Sequence, residues 1–270
     1  MSILAVRAAT ALVLNAAAAY VATKRGSVTA AGGITGLAVG TGIFIGGGLW
    51  LWSLLMVFVV SASAVSRIGR NRKEPLQQLH EKGSRRDPVQ VLANGGIGLI
   101  AAIGYAVSAN PAFTVVCAAS FASANADTWA GEIGMLSHSA PRSILTGKRL
   151  PPGTSGGITL LGLVASAAAA ALIAAAFSLG RLLHYGQSRI VPLAATVIAA
   201  GITGALIDSL LGAMVQAHYT DCRSGKPTER RRTDGVENQL LRGWRGFNND
   251  AVNVTSNLIV SVAVLTIEFV

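Results

Sequence analysis

Apolar residues in this chain gather into long runs, and the segments between the runs hold nearly all of its charge. Several runs reach the ~18–20 residues that carry a helix across a bilayer. They predict spans at about 3–23, 29–46, 48–66, 90–108, 111–130, 158–179, 190–216 and 250–268. The tract 28–66 is too long for one crossing. As a single helix it would extend roughly 58 Å, against a hydrocarbon core of ~30 Å. It is expected to fold back as two spans, with seven spans plus a re-entrant segment as the alternative, and Gly46-Gly47-Gly48 offers the turn. The first run also has the shape of a signal peptide with an Ala-rich cleavage region. It is read as an uncleaved span, because that completes the charge pattern described next.

Composition agrees with this pattern. The chain is 51% hydrophobic and 13% charged, about half the charged share of a soluble domain, and its mean hydropathy is +0.53. The predicted fold is an all-α polytopic transmembrane helix bundle, a single domain over 1–270 with no internal repeat. Segment 217–249 is too short and too charged to hold a core of its own. Abundant Gly and Ala suit helices that approach closely in lipid. A net charge of +10 would by itself suggest a nucleic-acid partner. Eight spans, however, place all but Arg7, Arg181 and Arg189 of the 22 Lys and Arg residues on one side. Positive-inside orientation makes that side cytoplasmic, with both termini outside and cytoplasmic loops at about 67–89, 131–157 and 217–249. Topology thus accounts for the charge without nucleic acid. The expected location is an integral membrane protein, in the plasma membrane if the source is prokaryotic. Cys117 falls in a span and Cys222 in a basic loop, so neither a disulfide nor a cysteine metal site is expected.

The polar residues in or beside the spans are few. Asp127 and Glu132 stand in ADTWAGEIG, Asp208 in ALIDSLLGA, and Asp250 in FNNDAVN. Carboxylates near hydrocarbon are costly, and a functional role is the default expectation. Asn94, Asn125, Asn248, Asn249 and Asn253 fall at a similar depth; Asn249 and Asn253, spaced i, i+4, share a helix face beside Asp250. Asn94 and Asn257 read as helix-to-helix hydrogen-bonding groups. Asn125 and Asp127 do not share a face, which suggests a local break near Gly131. Carboxylates with amide oxygens are hard ligands suited to Mg²⁺, leaving Asp127, Asn249, Asp250 and Asn253 as the candidate metal set.

The stretch PPGTSGG, containing Gly153, Thr154, Ser155, Gly156 and Gly157, runs straight into a span. A loop of this kind can turn backbone N–H groups toward an anion, and the following helix presents its positive end. Arg142, Lys148 and Arg149 precede it, and Lys82, Arg85 and Arg86 lead into the fourth span, as charge-assisted donors to phosphate oxygens. The alternative for such cations is a solvated loop against anionic lipid heads. No Walker A, HExxH, CxxC or GxSxG motif occurs, and His80, His138, His184 and His218 are scattered and read as solvated.

ADTWAGEIG, PRSILTGKRLPPGTSGG, ALIDSLLGA and FNNDAVN, in this order, resemble the transmembrane protein 19-like family of integral membrane proteins, which includes the plastid phytyl-phosphate kinase. The resemblance runs from about Val28 onward. The family pattern has Ser where Gly131 stands and Asn where Ser155 stands; both changes keep a small residue. The resemblance implies phosphoryl transfer from CTP or ATP, with Mg²⁺, to an isoprenyl monophosphate at the cytosolic rim. Asp127, Glu132, Asp208 and Asp250 would be the catalytic acids, with the bilayer, a nucleoside triphosphate and the isoprenyl phosphate as partners. A homo-oligomer stays open. An ion-coupled transporter or flippase, or a nucleotidyltransferase forming a CDP-lipid, would use similar residues.

Overall fold

The turn invited by the triple glycine is present. The computed structural model describes residues 3–77, 81–82 and 85–269. After α1 (Ile3–Lys24), α2 covers Ala30–Arg67 but loses helical geometry at Gly48, where φ is 67° and ψ −165°. That backbone region is open essentially to glycine alone. Neighbouring contacts show a full reversal there. Asn15 of α1 lies against Gly40 and also accepts a hydrogen bond from Trp52 Nε1 at 2.9 Å, so residues on either side of the break share one depth. Arg67 donates to Ser27 Oγ at 3.3 Å, which brings the end of α2 back to its start. The tract is therefore two spans, not a span with a re-entrant segment.

The chain continues through α3 (Arg70–Gln77), α4 (Pro88–Ser108), α5 (Ala112–Gly134), β1 (Arg142–Ser143), β2 (Gly157–Ile158), α6 (Leu160–Tyr185) and α7 (Ile190–Met214). Five short strands follow, β3 (His218–Thr220), β4 (Pro227–Thr228), β5 (Arg232–Thr233), β6 (Val236–Glu237) and β7 (Gln239–Arg242), before α8 (Asn249–Phe269). All pairings are antiparallel: β1 with β2, β5 with β6, and β3 between β4 and β7. These strands sit in connecting loops, so the protein remains an all-α polytopic membrane bundle.

Helices α1, α2, α4, α6, α7 and α8 are each long and apolar enough to cross a membrane. The most enclosed helix, α5, is not in that set. Its residues from Thr114 to Ala126 are all buried, and it packs on α2, α4, α6, α7 and α8. Rich in Ala, Ser and Thr, it meets neighbouring helices instead of lipid, and glycines let them close in. A Cβ at Gly201 would sit 2.5 Å from Ala170 Cβ and 3.1 Å from the Ala122 carbonyl. Small residues thus set the spacing around the central helix.

The basic residues keep the asymmetry expected of them. Arg7 bonds the Phe44 carbonyl, Arg181 lies over the Tyr185 ring, and Arg189 pairs with Glu268, all at the end away from the loops after α3, α5 and α7. Both ends of the described chain lie at that end too, since Phe269 packs on Phe113 at the start of α5.

Candidate functional site

At the opposite end, where α5 and α7 finish and α4, α6 and α8 begin, the helices enclose a cavity of about 340 Å³. Asp127 and Glu132 of α5, Asp208 of α7, and Asn249, Asp250 and Asn253 of α8 all line it. So do Arg86 and the whole turn from Gly153 to Gly157. Residues more than a hundred positions apart in sequence therefore share one chamber. Arg85, Lys148 and Arg149 are placed elsewhere. Arg85 is exposed and reaches the Val28 carbonyl at 3.4 Å. Lys148 and Arg149 are exposed on the turn that Arg142 and Arg149 close by a β-bridge, outside the cavity lining.

The expected break near Gly131 does not occur: α5 runs unbroken to Gly134. Its last turns carry polar residues because neighbours receive them. Glu132 accepts from Lys73, whose side chain is fully buried and also donates to the carbonyls of Val65 at 3.2 Å and Ser66 at 3.1 Å. Glu132 is thereby joined to the C-terminus of α2. One turn inward, the carboxyl groups of Asp127 and Asp208 lie within hydrogen-bond reach of each other. Ser256 of α8 donates to Asp208 Oδ2 at 3.3 Å. Two carboxyl groups this close require a shared proton or a cation between them.

On α8, Asp250 Oδ2 pairs with Lys82, while its buried Oδ1 has no hydrogen-bond partner among the described residues. Among the described residues no three His, Cys, Asp or Glu side chains form a metal cluster by themselves. The donors that do line the cavity, carboxylates supplemented by Asn249 and Asn253, fit Mg²⁺, which keeps waters and relies on substrate phosphates to complete its shell.

The glycine turn is built for close approach. Gly153 and Gly156 have φ of 81° and 82°, and a Cβ on Gly156 would lie 2.5 Å from that of Ala213. The backbone N–H groups of Gly153, Ser155 and Gly156 donate to no acceptor among the described residues. The turn is braced from outside the cavity: Ser155 Oγ donates to Gln216 Oε1 at 2.7 Å, and Arg242 of β7 donates to the Ser155 carbonyl at 3.3 Å. The small sheet after α7 thus holds the turn in place. Three helix N-termini, those of α4, α6 and α8, open at the same chamber and favour an anion there.

The segment before α4 is equally ordered. Arg86 is strapped to the α1–α2 turn by Thr29 N–H to Arg86 carbonyl at 2.9 Å and Arg86 N–H to Ser27 carbonyl at 3.0 Å. Burial draws its guanidinium pKa down, opposed by the charges of Glu132 and Asp127. Asp87 caps α4 in a reciprocal capping box with Gln90. Lys82 Nζ lies 2.7 Å from Asp87 Oδ2 while also pairing with Asp250. Burial alone would depress the Lys82 ammonium, but its hydrogen bonds to Asp250 and Asp87 outweigh burial and hold it above the usual lysine value.

Lys73, Gln216 and Arg242 are site residues that sequence reasoning missed, and Lys82, grouped there with Arg85 and Arg86, lines the cavity with its pairing to Asp250 unforeseen. Nothing in EKGSRRDP separates Lys82 from the two arginines that follow it. Among the described residues Asn94 bonds the Gln90 carbonyl of its own helix, at 2.9 Å, and lines the cavity, where the expectation was a bond between helices. Asn257 likewise bonds within its own helix, to Ser261. Asn125 instead takes the joining role, linking Ser61 and the Ala169 carbonyl, and Asn248 donates to Glu81 at 3.2 Å. His218 is buried beside Arg242 and so is not solvated, whereas His138 is exposed and His184, although stacked on Trp50, is exposed as well; His80 lies outside the described residues. Both cysteines are free, Cys117 buried and Cys222 exposed.

A family model described as integral membrane protein DUF92 matches residues 13–261. Protein PGR of Arabidopsis thaliana is 31% identical over 235 residues, 77% of this chain and 78% of that protein. An uncharacterized membrane protein of Methanocaldococcus jannaschii is 37% identical over 163 residues, covering 60% of this chain and 64% of its own length. No solved structure matches. Matched from within α1 to within α8, the chain belongs to the DUF92 family of integral membrane proteins, the transmembrane protein 19-like group that its motifs resemble.

Proposed function

We propose that this protein is a membrane-embedded kinase. It moves the terminal phosphoryl group of CTP or ATP onto an isoprenyl monophosphate of the phytyl or geranylgeranyl type, with Mg²⁺, at the cytoplasmic rim. The convergence of Asp127, Asp208, Asp250, the glycine turn and Arg86 on one cavity is the observation that carries this reading. Phosphoryl transfer needs positioning and charge neutralisation more than covalent chemistry from the protein.

An oxygen of the acceptor phosphate attacks the γ-phosphorus, the bond to the β–γ bridging oxygen breaks, and the nucleoside diphosphate leaves with that electron pair. The acceptor is already ionised near neutral pH, so no general base is needed. Asp127 and Asp250, with Asn249 and Asn253, would hold Mg²⁺, whose contribution is to neutralise charge on the nucleotide phosphates. The free N–H groups of Gly153, Ser155 and Gly156 bind nucleotide phosphate oxygens, and Arg86 and Lys82 orient the acceptor phosphate. Glu132 keeps Lys73 and the end of α5 in register.

The test uses purified protein in nanodiscs with geranylgeranyl monophosphate, Mg²⁺, and CTP or ATP labelled in the γ-phosphate or, in a parallel reaction, in the α-phosphate. Labelled isoprenyl diphosphate is expected, and Asp127→Asn lowers its formation by about 100-fold or more, as removal of a preorganised charge-stabilising group does. Label entering the lipid from the α-phosphate instead would make the protein a nucleotidyltransferase. No transfer from either position would end the kinase reading.

A further inference from the structure

The polar chamber has an apolar neighbour. A second, narrower cavity of about 90 Å³ lies between α1, α2 and α4. Gly32, Gly36 and Val39 from the first half of α2 face Leu55, Met56 and Val59 from its second half across this space. Arg86, Gln90 and Asn94 line both cavities, so the two meet along the first turns of α4 and the segment just before it. Arg86 stands at the junction, its guanidinium 5.2 Å from the centre of the Phe58 ring, which also lines the apolar side. At the deep end the Asn15 amide is already engaged, accepting from Trp52 Nε1 and donating to the Ala11 carbonyl.

We infer that this groove holds the apolar chain of the acceptor lipid, with its phosphate passing Arg86 into the polar chamber. The inference rests on the kinase reading for the identity of the head group. Cationic Arg86 at the mouth suits a phosphate, and the aliphatic walls beyond it suit a hydrocarbon. The narrow volume suits one chain, which selects a single-chain isoprenyl phosphate over a diacyl lipid. From Gly32 to Val39 the groove runs about 10 Å along the helix axis. That length covers the first isoprene units, and the rest of the chain lies among lipid tails.

Gly36 makes the groove testable. It lines the cavity and a Cβ built there meets nothing within 4 Å, so a side chain can be added at this position without a clash at its first atom. Replacing a helix-interior glycine also favours the helix itself.

Geranylgeranyl monophosphate carrying a diazirine near its head should, on irradiation, label wild-type peptides spanning 32–39 and 55–59. Gly36→Trp should abolish that labelling and raise KM for geranylgeranyl monophosphate by about tenfold or more, the equivalent of displacing two buried methylene groups. The KM increase should shrink with shorter acceptors such as dimethylallyl monophosphate, and an unchanged thermal-unfolding midpoint certifies that the variant is folded. Labelling confined to other helices, or a Gly36→Trp enzyme indifferent to chain length, would overturn the groove while leaving the kinase reading intact. Labelling of the groove without any phosphoryl transfer would do the reverse, keeping the groove and removing the kinase.

Discussion

Glu132 and Asp250 each end in an ion pair with a lysine, yet the two pairs do different work. Lys73 is fully buried and holds the carbonyls that end α2, and among the described residues Glu132 is the anion paired with its charge. Lys82 is partly exposed and divides itself between Asp250 and Asp87, which leaves it free to exchange a partner for a phosphate oxygen. Removing one member of a buried pair strands the other, at about 3–5 kcal/mol. Glu132→Gln is therefore expected to lower thermal stability in detergent by roughly that amount. Adding Lys73→Met should recover most of the stability and of the transfer activity. A double variant that is stable but inactive would return Glu132 to the chemistry.

The site's acids were legible in sequence because a carboxylate in an apolar run has few structural reasons to be there. The pairing of Lys82 was not, since one cation in a basic loop looks like the next and only the fold shows which of them faces Asp250. The bracing of Ser155 by Gln216 and Arg242 was hidden for a related reason. It joins positions 61 and 87 residues apart through contacts that leave no local pattern.

Among the elements, α2 and α5 mark how far hydrophobic pattern reaches. The length of the tract 28–66 forced a turn, and the glycines located it to within two residues of Gly48. By contrast α5 was cut short at 130, because its apolar run fades at Asp127 while the helix continues to Gly134. What sustains those last turns is tertiary. Lys73 receives Glu132, and Gly162 of α6 lets the Ala130 carbonyl come within 2.9 Å of where a Cβ would be. Such support is invisible to any reading of one segment at a time. Gly48 itself carries a separable prediction. Gly48→Ala forces a side chain into a backbone region costing about 1–3 kcal/mol. A thermal-unfolding measurement should register that loss, while substrate KM stays unchanged, since the turn lies at the end of the bundle away from the cavity. An altered KM with normal stability would mean that the turn is coupled to the site.

The whole molecule places its polar chamber, its glycine turn and nearly all its cations at one end, and a single native residue can report which side that end faces. Cys222 is exposed in the loop between α7 and α8, beside the sheet that braces the glycine turn, whereas Cys117 is buried in the middle of α5. The unmodified chain therefore offers one accessible thiol. If its basic loops lie inside, as the charge distribution predicts, a membrane-impermeant maleimide should leave intact cells or right-side-out vesicles unlabelled and should label inverted vesicles. Cys222→Ser should abolish the signal, confirming its source. Labelling from the outer face instead would put the chamber where no nucleoside triphosphate is supplied. The bundle would stand unchanged, but a cytosolic phosphoryl donor would have no route to Asp127, and the proposed reaction would lose its first substrate.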